Sequence, residues 1–311
     1  MEIAALVCND KLDYESALKT YAVFQSTRKM GNQIQIVDYN YLDVNEKNIF
    51  EKAKNTNLYN FLENNTIFTS RRYHTFDQLE DNIPLADEYF LINPSFGSLD
   101  VFPREKCIVY GVKNIDENEI SMIKEDYKSF SVNDEINESE CRSVVDPLFL
   151  LTKEEWYEFA EKSNMPEDNK DYILIYGNVI EKDMLAYAKN LADNNNSKIY
   201  IVADKVNSLL YKGKRVQNPT PADLVKLMSN ATDIITSRND GIRMSVVLEK
   251  RVHIFNDSND ESQLELINEL RLLDRIVTSQ DRIILKDSEN KEAIEKLLVK
   301  REESLKVLKV E

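Results

Sequence analysis

The chain carries 55 acidic and 40 basic residues in 311, a formal charge of −15. That length exceeds most single cores and implies two domains of about 150 residues each. The acidic field repels nucleic acid and anionic membrane surfaces, so neither is an expected partner. Cys8, Cys107 and Cys141 are odd in number and widely spaced, which fits neither a disulfide framework nor a zinc site; they read as small buried hydrophobes in a reducing compartment. Met1 leads directly into the apolar run Ile3 to Val7, too short for a secretory segment or a membrane span, so a cytoplasmic location with no membrane span is expected.

In chain order the pattern alternates strand and helix. Ile3 to Val7 predicts a strand buried on both faces. Apolar residues at Ala17/Leu18 and Tyr21/Ala22 keep a helical period, and Gly31 stands where a left-handed C-cap is wanted. Gln33 to Tyr39 predicts the second strand, completing a right-handed βαβ unit with a parallel sheet. Tyr89 to Ile92 and Lys106 to Tyr110 follow as buried strands, then a helix over Asn118 to Tyr127 and a strand over Ser129 to Val132.

The second half repeats the theme. Strands are predicted at Tyr172 to Tyr176, Lys198 to Val202, Asp233 to Thr236 and Val252 to Phe255. Helices are predicted at Glu181 to Ala192, from Thr220-Pro221-Ala222-Asp223 onward, at Ile242 to Glu249, at Ser262 to Leu272 and at Lys291 to Leu308. Thr220 is the expected N-cap, with Pro221 in the first turn and Asp223 near the positive end. The fold class is therefore α/β, with a boundary expected at Asp146-Pro147 or in the polar stretch Ser163 to Lys170. The first choice gives an N-terminal domain of 1–146 and a C-terminal domain of 147–311 that includes the last helix.

Of six glycines, Gly97, Gly111, Gly177 and Gly241 each follow a predicted strand, where loops at carboxyl ends form the ligand crevice of open α/β sheets. A plain strand-to-helix turn explains any one of them equally well. None builds a G-x-G-x-x-G or Walker fingerprint. Arg238, Arg243, Lys250 and Arg251 surround one predicted loop and helix, either as an anion pocket or as a solvated helix face. The Lys212-Lys214-Arg215 group has the same two readings. His74, beside Arg71-Arg72, and His253, in an apolar strand, read as a solvent-facing and a satisfied structural histidine.

Ala4-Ala5-Leu6-Val7 followed by Asp13 to Ala22 resembles the opening of the polysaccharide pyruvyl transferase family. The likeness continues through Phe76-Asp77-Gln78-Leu79, Tyr89 to Ile92, Val145 to Leu151 (the family's Leu-Asp-Pro-Thr-Leu-Leu-Leu), Lys153 to Trp156, Tyr172 to Ala192 and Asp233 to Phe255. It covers most of the chain in order. The resemblance implies two Rossmann-like doubly wound domains, GT-B-like, with a cleft between them. It also implies transfer of the pyruvyl group of phosphoenolpyruvate to a sugar hydroxyl in cell-surface polysaccharide synthesis, with no cofactor and no metal. The partners it implies are an anionic small molecule and a saccharide acceptor.

A phosphate- and carboxylate-bearing donor calls for arginine or a helix N-terminus, and proton movement calls for a histidine or carboxylate. On the family's Ser-Arg-Phe-His-Gly segment, Arg238, Asn239, Gly241 and the nearby Arg243 become donor-binding candidates, and Asp240 stands in the histidine's place as the catalytic candidate. Asp13, Tyr14, Glu15, Ser95 and Gly97 become the first-domain cleft loops. Glu15 replaces the family glycine, Asn93-Pro94-Ser95-Phe96-Gly97 replaces its Gly-Ser-Asp-Gln loop, and Ser131-Val132-Asn133-Asp134 replaces Ser-Val-Arg-Glu. These changes at strand ends leave two further readings. One is a catalytically degenerate family member, a possible pseudoenzyme serving as a partner or ligand-binding protein in the same pathway. The other is a nucleotide-sugar glycosyltransferase of GT-B architecture.

Overall fold

A computed structural model describes residues 1–9, 11–39, 49–112, 115–133, 141–166, 171–207, 213–256, 260–278 and 291–309. It divides into two compact units, one of 1–151 with 297–311 and the other of 152–296. The break thus follows Leu151 rather than Asp146, and the end of the last helix belongs with the first unit. Asp134, Lys212 and the end of the polar stretch 163–170 lie outside the described residues.

Unit 1 runs β1 (Glu2–Val7), α1 (Tyr14–Lys29), β2 (Gln33–Tyr39), α2 (Ile49–Asn65), β3 (Phe68–Tyr73), α3 (Phe76–Glu80), β4 (Glu88–Ile92), β5 (Cys107–Val112), α4 (Glu117–Ile123), β6 (Ser129–Val132) and β7 (Arg142–Ser143). Its seven strands are parallel in the order β3-β2-β1-β4-β5-β6-β7. Residues 3–7 of β1 and all of β4 and β5 are buried, as helices on both faces of a parallel sheet require. Gly31 ends α1 with φ +86°, the left-handed stop expected there. The predicted helix 118–127 is shorter than its pattern: α4 ends at Ile123 and a 3₁₀ turn, Lys124–Asp126, carries the chain into β6.

In this unit helix α2, strand β3, helix α3 and the two-residue strand β7 escaped the sequence reading. Helix α2, strand β3 and helix α3 lie in a polar stretch where apolar periodicity is weak. β3 is an edge strand with Ser70, Arg71 and Arg72 exposed, so it lacks the apolar run of the buried strands. Arg72 reaches back to Asp38 of β2 at 2.9 Å and stacks over Tyr59. His74 is exposed beyond this strand, as expected.

Unit 2 runs α5 (Lys153–Ala160), β8 (Tyr172–Ile180), α6 (Lys182–Asn195), β9 (Lys198–Val206), β10 (Lys214–Arg215), α7 (Pro221–Asn230), β11 (Ala231–Thr236), α8 (Asn239–Val247), β12 (Arg251–Ile254) and α9 (Glu261–Glu269); α10 (Lys291–Val307) begins here and ends in unit 1. The parallel sheet is ordered β10-β9-β8-β11-β12. Thr220 caps α7 as predicted: its Oγ1 accepts from Asp223 N at 3.1 Å, and Asp223 Oδ2 accepts from Thr220 N at 2.9 Å. Trp156 of α5, fully buried, meets Phe159 edge-on at 5.4 Å between ring centroids, and α5 packs on α7.

In both sheets the chain reverses its direction of growth beside the first strand, between β1 and β4 and between β8 and β11. At such a switch point the following helices depart to opposite faces and leave a crevice at the carboxyl ends.

Candidate functional site

In unit 2 the crevice edge is the segment Ser237 to Gly241. Helix α8 starts at Asn239, three residues earlier than its apolar pattern indicates, so Asp240 and Gly241 lie in its first turn rather than in a loop. Gly241 is there for contact: a Cβ would sit 2.4 Å from Thr236 Oγ1 and 3.0 Å from Tyr176 Cδ1. The missing side chain lets the helix start press onto the end of β11 and the middle of β8.

That contact delivers Asp240 to Tyr176. The phenol donates to Asp240 Oδ2 at 2.6 Å, while Arg238 grips the same carboxylate with both arms, Nε to Oδ1 at 2.8 Å and Nη2 to Oδ2 at 2.9 Å. Gly241 N–H donates to Oδ1 at 3.0 Å. Asp240 is 1% exposed. The remaining arm of Arg238 donates to Asn178 Oδ1, and its guanidinium lies 5.1 Å from the Tyr176 ring centre. Gln263 of α9 fixes the turn by donating to Ser237 O at 2.9 Å and Asn239 Oδ1 at 3.3 Å. The structure therefore brings Arg238, Asn239, Asp240 and Gly241 into one network, but a closed one. Arg243 is buried on the same helix.

Lys250 and Arg251 part from this group. Nine helical residues of α8 advance about 13 Å, and the chain re-enters the sheet at the start of β12, at the amino edge. Both line an open hollow of about 500 Å³ with Asp171, Ser229 and Glu249. Burial, reinforced by Lys153, lowers the Lys250 ammonium from its ordinary value. Lys214 is exposed over the Tyr200 ring, and Arg215 donates to the carbonyls of Ala203 and Asp204 at 3.0 and 2.8 Å.

His253 belongs to a buried chain of contacts: Tyr187 Oη meets its Nδ1 at 2.8 Å and its Nε2 meets Asp233 Oδ1 at 3.0 Å, while Arg251 Nη2 donates to Asp233 Oδ2 at 3.0 Å. Burial alone would raise the Asp233 carboxyl, but the hydrogen bond and charge of His253, with Arg251, hold it below the usual carboxylate range. A carboxyl depressed in the folded state stabilises above its unfolded value of about 3.9 and loses that contribution as pH falls through the folded value. Asp233→Asn should therefore cost about 1.5–3 kcal/mol at pH 7, with the gap to the parent narrowing below about pH 4. Urea unfolding followed by fluorescence of Trp156, the single tryptophan, reads both pH values.

In unit 1 the switch point opens a crevice of about 460 Å³ just beyond β1 and β4. Cys8 N donates to Ile92 O at 2.9 Å and Asn93 N to Tyr110 O at 2.8 Å, so both residues lie at the strand ends. Asn93 takes φ +51°, the left-handed region an asparagine tolerates. Asp13 caps α1: its Oδ1 accepts from Ser16 N at 3.0 Å, and Ser16 Oγ accepts from Asp13 N at 2.8 Å. Glu15 holds Lys19 at 2.6 Å, and Lys19, itself buried, also meets Asp146 at 2.9 Å.

Of the five residues expected in these loops, Asp13, Glu15 and Ser95 line the crevice. Tyr14 turns into the core at 4% exposure, and Gly97 sits exposed in a 3₁₀ turn, Phe96–Val101. The sequence reading missed Lys19, Tyr39, Phe76 and Asn93. Lys19 falls four residues after Glu15, a helical ion-pair spacing that signals the contact, whereas the aromatic pair has no local signal. Among the described residues no three His, Cys, Asp or Glu side chains gather where a metal ion could be held.

No protein-family model matches the chain, and no curated protein matches it at a significant level. Solved structures do. The UDP-GlcNAc 2-epimerase of Methanocaldococcus jannaschii superposes with a TM-score of 0.54 at 13% identity, over 96% of this chain and 92% of that one. The same organism's UDP-GlcNAc 2-epimerase in complex with UDP-GlcNAc and UDP gives 0.51 at 14%, over 96% and 99%. The UDP-N-acetylglucosamine 2-epimerase of Rickettsia bellii gives 0.51 at 12%, over 99% and 96%. At these identities the likeness is one of fold, and with the two parallel sheets it places the chain among α/β proteins of two Rossmann-like, GT-B-like domains.

Proposed function

We propose that this protein is a catalytically degenerate relative of the polysaccharide pyruvyl transferases, acting as a ligand-binding or partner protein in cell-surface polysaccharide synthesis. The observation that supports this reading is the saturation of Asp240. A general acid or base must reach substrate and exchange a proton, yet this carboxylate is spent on Arg238, Tyr176 and Gly241 N–H within the fold. The same contacts place a carboxylate on the Gly241 N–H in the first turn of α8 and neutralise Arg238, the two features that would hold a compact anionic donor. The side chain in the histidine's place thus braces the turn.

Pyruvyl transfer to a hydroxyl releases inorganic phosphate from phosphoenolpyruvate, so phosphate release over a panel of saccharide acceptors measures it. The expected result is background release and no saturable heat on titration with phosphoenolpyruvate. Acceptor-dependent release that is lost in Asp240→Asn, or saturable donor binding, overturns the reading. A second reading, a nucleotide-sugar enzyme, is favoured by the likeness to an epimerase whose complex holds UDP-GlcNAc and UDP. Saturable binding of UDP-GlcNAc would support it in place of the first.

A further inference from the structure

We infer that the unit 1 crevice is a binding site for an uncharged saccharide, and that Glu15 sets this preference by excluding sugar phosphates. The inference gives a ligand class to the ligand-binding reading above, but it rests on a different part of the molecule.

The crevice, at about 460 Å³, is of the size that takes small ligands, roughly 300–1,000 Å³. It lies at a switch point, where an open α/β sheet commonly receives phosphate at a helix N-terminus. Here the N-terminus of α1 is closed by its own residues: Asp13 accepts from Ser16 N, Ser16 Oγ accepts from Asp13 N, and Glu15 adds a carboxylate to the first turn. A phosphate would approach two carboxylates at the end that normally attracts it.

The cations offer no relief. Among the described lining residues Lys11 and Lys19 balance Asp13 and Glu15. Lys19 is in addition paired with Asp146, a carboxylate 4% exposed. An anion would have to displace Glu15 from Lys19 and lose a contact of 2.6 Å made in a nearly closed environment, Lys19 being 5% exposed and Glu15 27%. An uncharged ligand disturbs none of this.

The rest of the lining fits a sugar. Tyr39 and Phe76 stack on each other with ring centroids 4.9 Å apart and both border the crevice, an apolar aromatic wall against which the C–H groups of a pyranose can pack. Burial, with Cys8 and Asp77 nearby, raises the Tyr39 phenol, which therefore remains a hydroxyl able to donate. Around it lie Asn9, Asn93, Ser95 and Ser98. Ser98 Oγ donates to Ser95 O at 2.9 Å and Asn9 Nδ2 to Val7 O at 3.1 Å, so these two offer acceptor oxygens beside the amide of Asn93 and the hydroxyl of Ser95. Sugar hydroxyls need that mixture, and carboxylates such as Glu15 and Asp13 accept from them. An aromatic wall, mixed hydrogen-bonding groups and lining charges that balance together describe a saccharide subsite.

The test is an amide-resolved NMR titration of the full chain with glucose, galactose, mannose and N-acetylglucosamine, and with their 6-phosphates. At least one neutral sugar should shift the Asn9, Asn93 and Ser98 amides saturably, with its 6-phosphate binding more weakly. Phe76→Ala should weaken the neutral sugar by about tenfold, and Glu15→Gln should improve the 6-phosphate relative to the neutral sugar by about tenfold. Glu15 is partly exposed, so its variant keeps the test decisive if Phe76→Ala fails to fold. No response to any neutral sugar, tighter binding of the phosphates by the parent protein, or an unchanged preference in Glu15→Gln would overturn the inference. Phosphoenolpyruvate binding is read separately, at the Asp240 and Gly241 amides, so failure of one reading is not failure of the other.

Discussion

Asp240→Ala should cost about 3–5 kcal/mol in the stability of unit 2, because it strands a guanidinium that is itself only 10% exposed. The loss reaches beyond one pair. Tyr176 loses its acceptor at 2.6 Å, Gly241 N–H loses a contact at the start of α8, and Arg238 loses both carboxylate contacts while keeping Asn178 and the Tyr176 ring. Replacing both partners tests the cause. If the cost is that of an unpaired buried charge, Arg238→Met/Asp240→Leu should be markedly less destabilised than Asp240→Ala, since apolar pairs often match buried ion pairs in stability. Urea unfolding followed by Trp156 fluorescence measures all the variants. Were Asp240 a spare carboxylate poised for catalysis, Asp240→Ala would unfold like the parent protein, and the proposed function would lose its basis.

Trp156→Ala should cost a similar amount, about 3–5 kcal/mol, for a different reason. The indole is fully buried and edge-on to Phe159, and α7 packs against the same helix. Truncation leaves a cavity that a capped helix packed on α7 cannot readily close: Thr152 accepts from Glu155 N at 3.2 Å and Glu155 accepts from Thr152 N at 2.6 Å, which fixes where α5 begins. The variant removes the fluorescent reporter, so far-UV circular dichroism must follow its unfolding. A loss below about 1 kcal/mol would mean the site collapses around the missing ring, against the packing seen here.

The two mutations separate the fold from the site. Trp156 lies in a segment, Lys153 to Trp156, that carries part of the family resemblance, but the short helix α5 that buries it, like the two-residue strand β10, was not among the predicted elements. Asp240 is a different case. In the sequence it reads as a carboxylate next to an arginine at a strand end, which is equally the mark of an acid, an anion-binding loop or a structural pair.

Alternating apolar runs and helical periods set the order of the main elements, because local propensity and burial on both sheet faces leave their mark within a few residues. The capping residues at Thr220 and the glycine after α1 are local for the same reason. Where the period weakened, elements were lost: β3 is an exposed edge and shows no buried run. The start of α8 was misplaced because Gly241 reads as a turn, while its actual role is to clear Thr236 and Tyr176.

By itself, then, the sequence determined the α/β class, the alternation of strand and helix and the segments that reach the strand ends, while the order of strands in each sheet came from the structure. Only the tertiary structure decided what the charges there do. Tyr176 comes to Asp240 across 64 residues of chain, and Asp146 comes to Lys19 from the far side of the first sheet's sequence. Electrostatic state depends on distances through space in a medium of low polarity, and a linear spacing does not encode them.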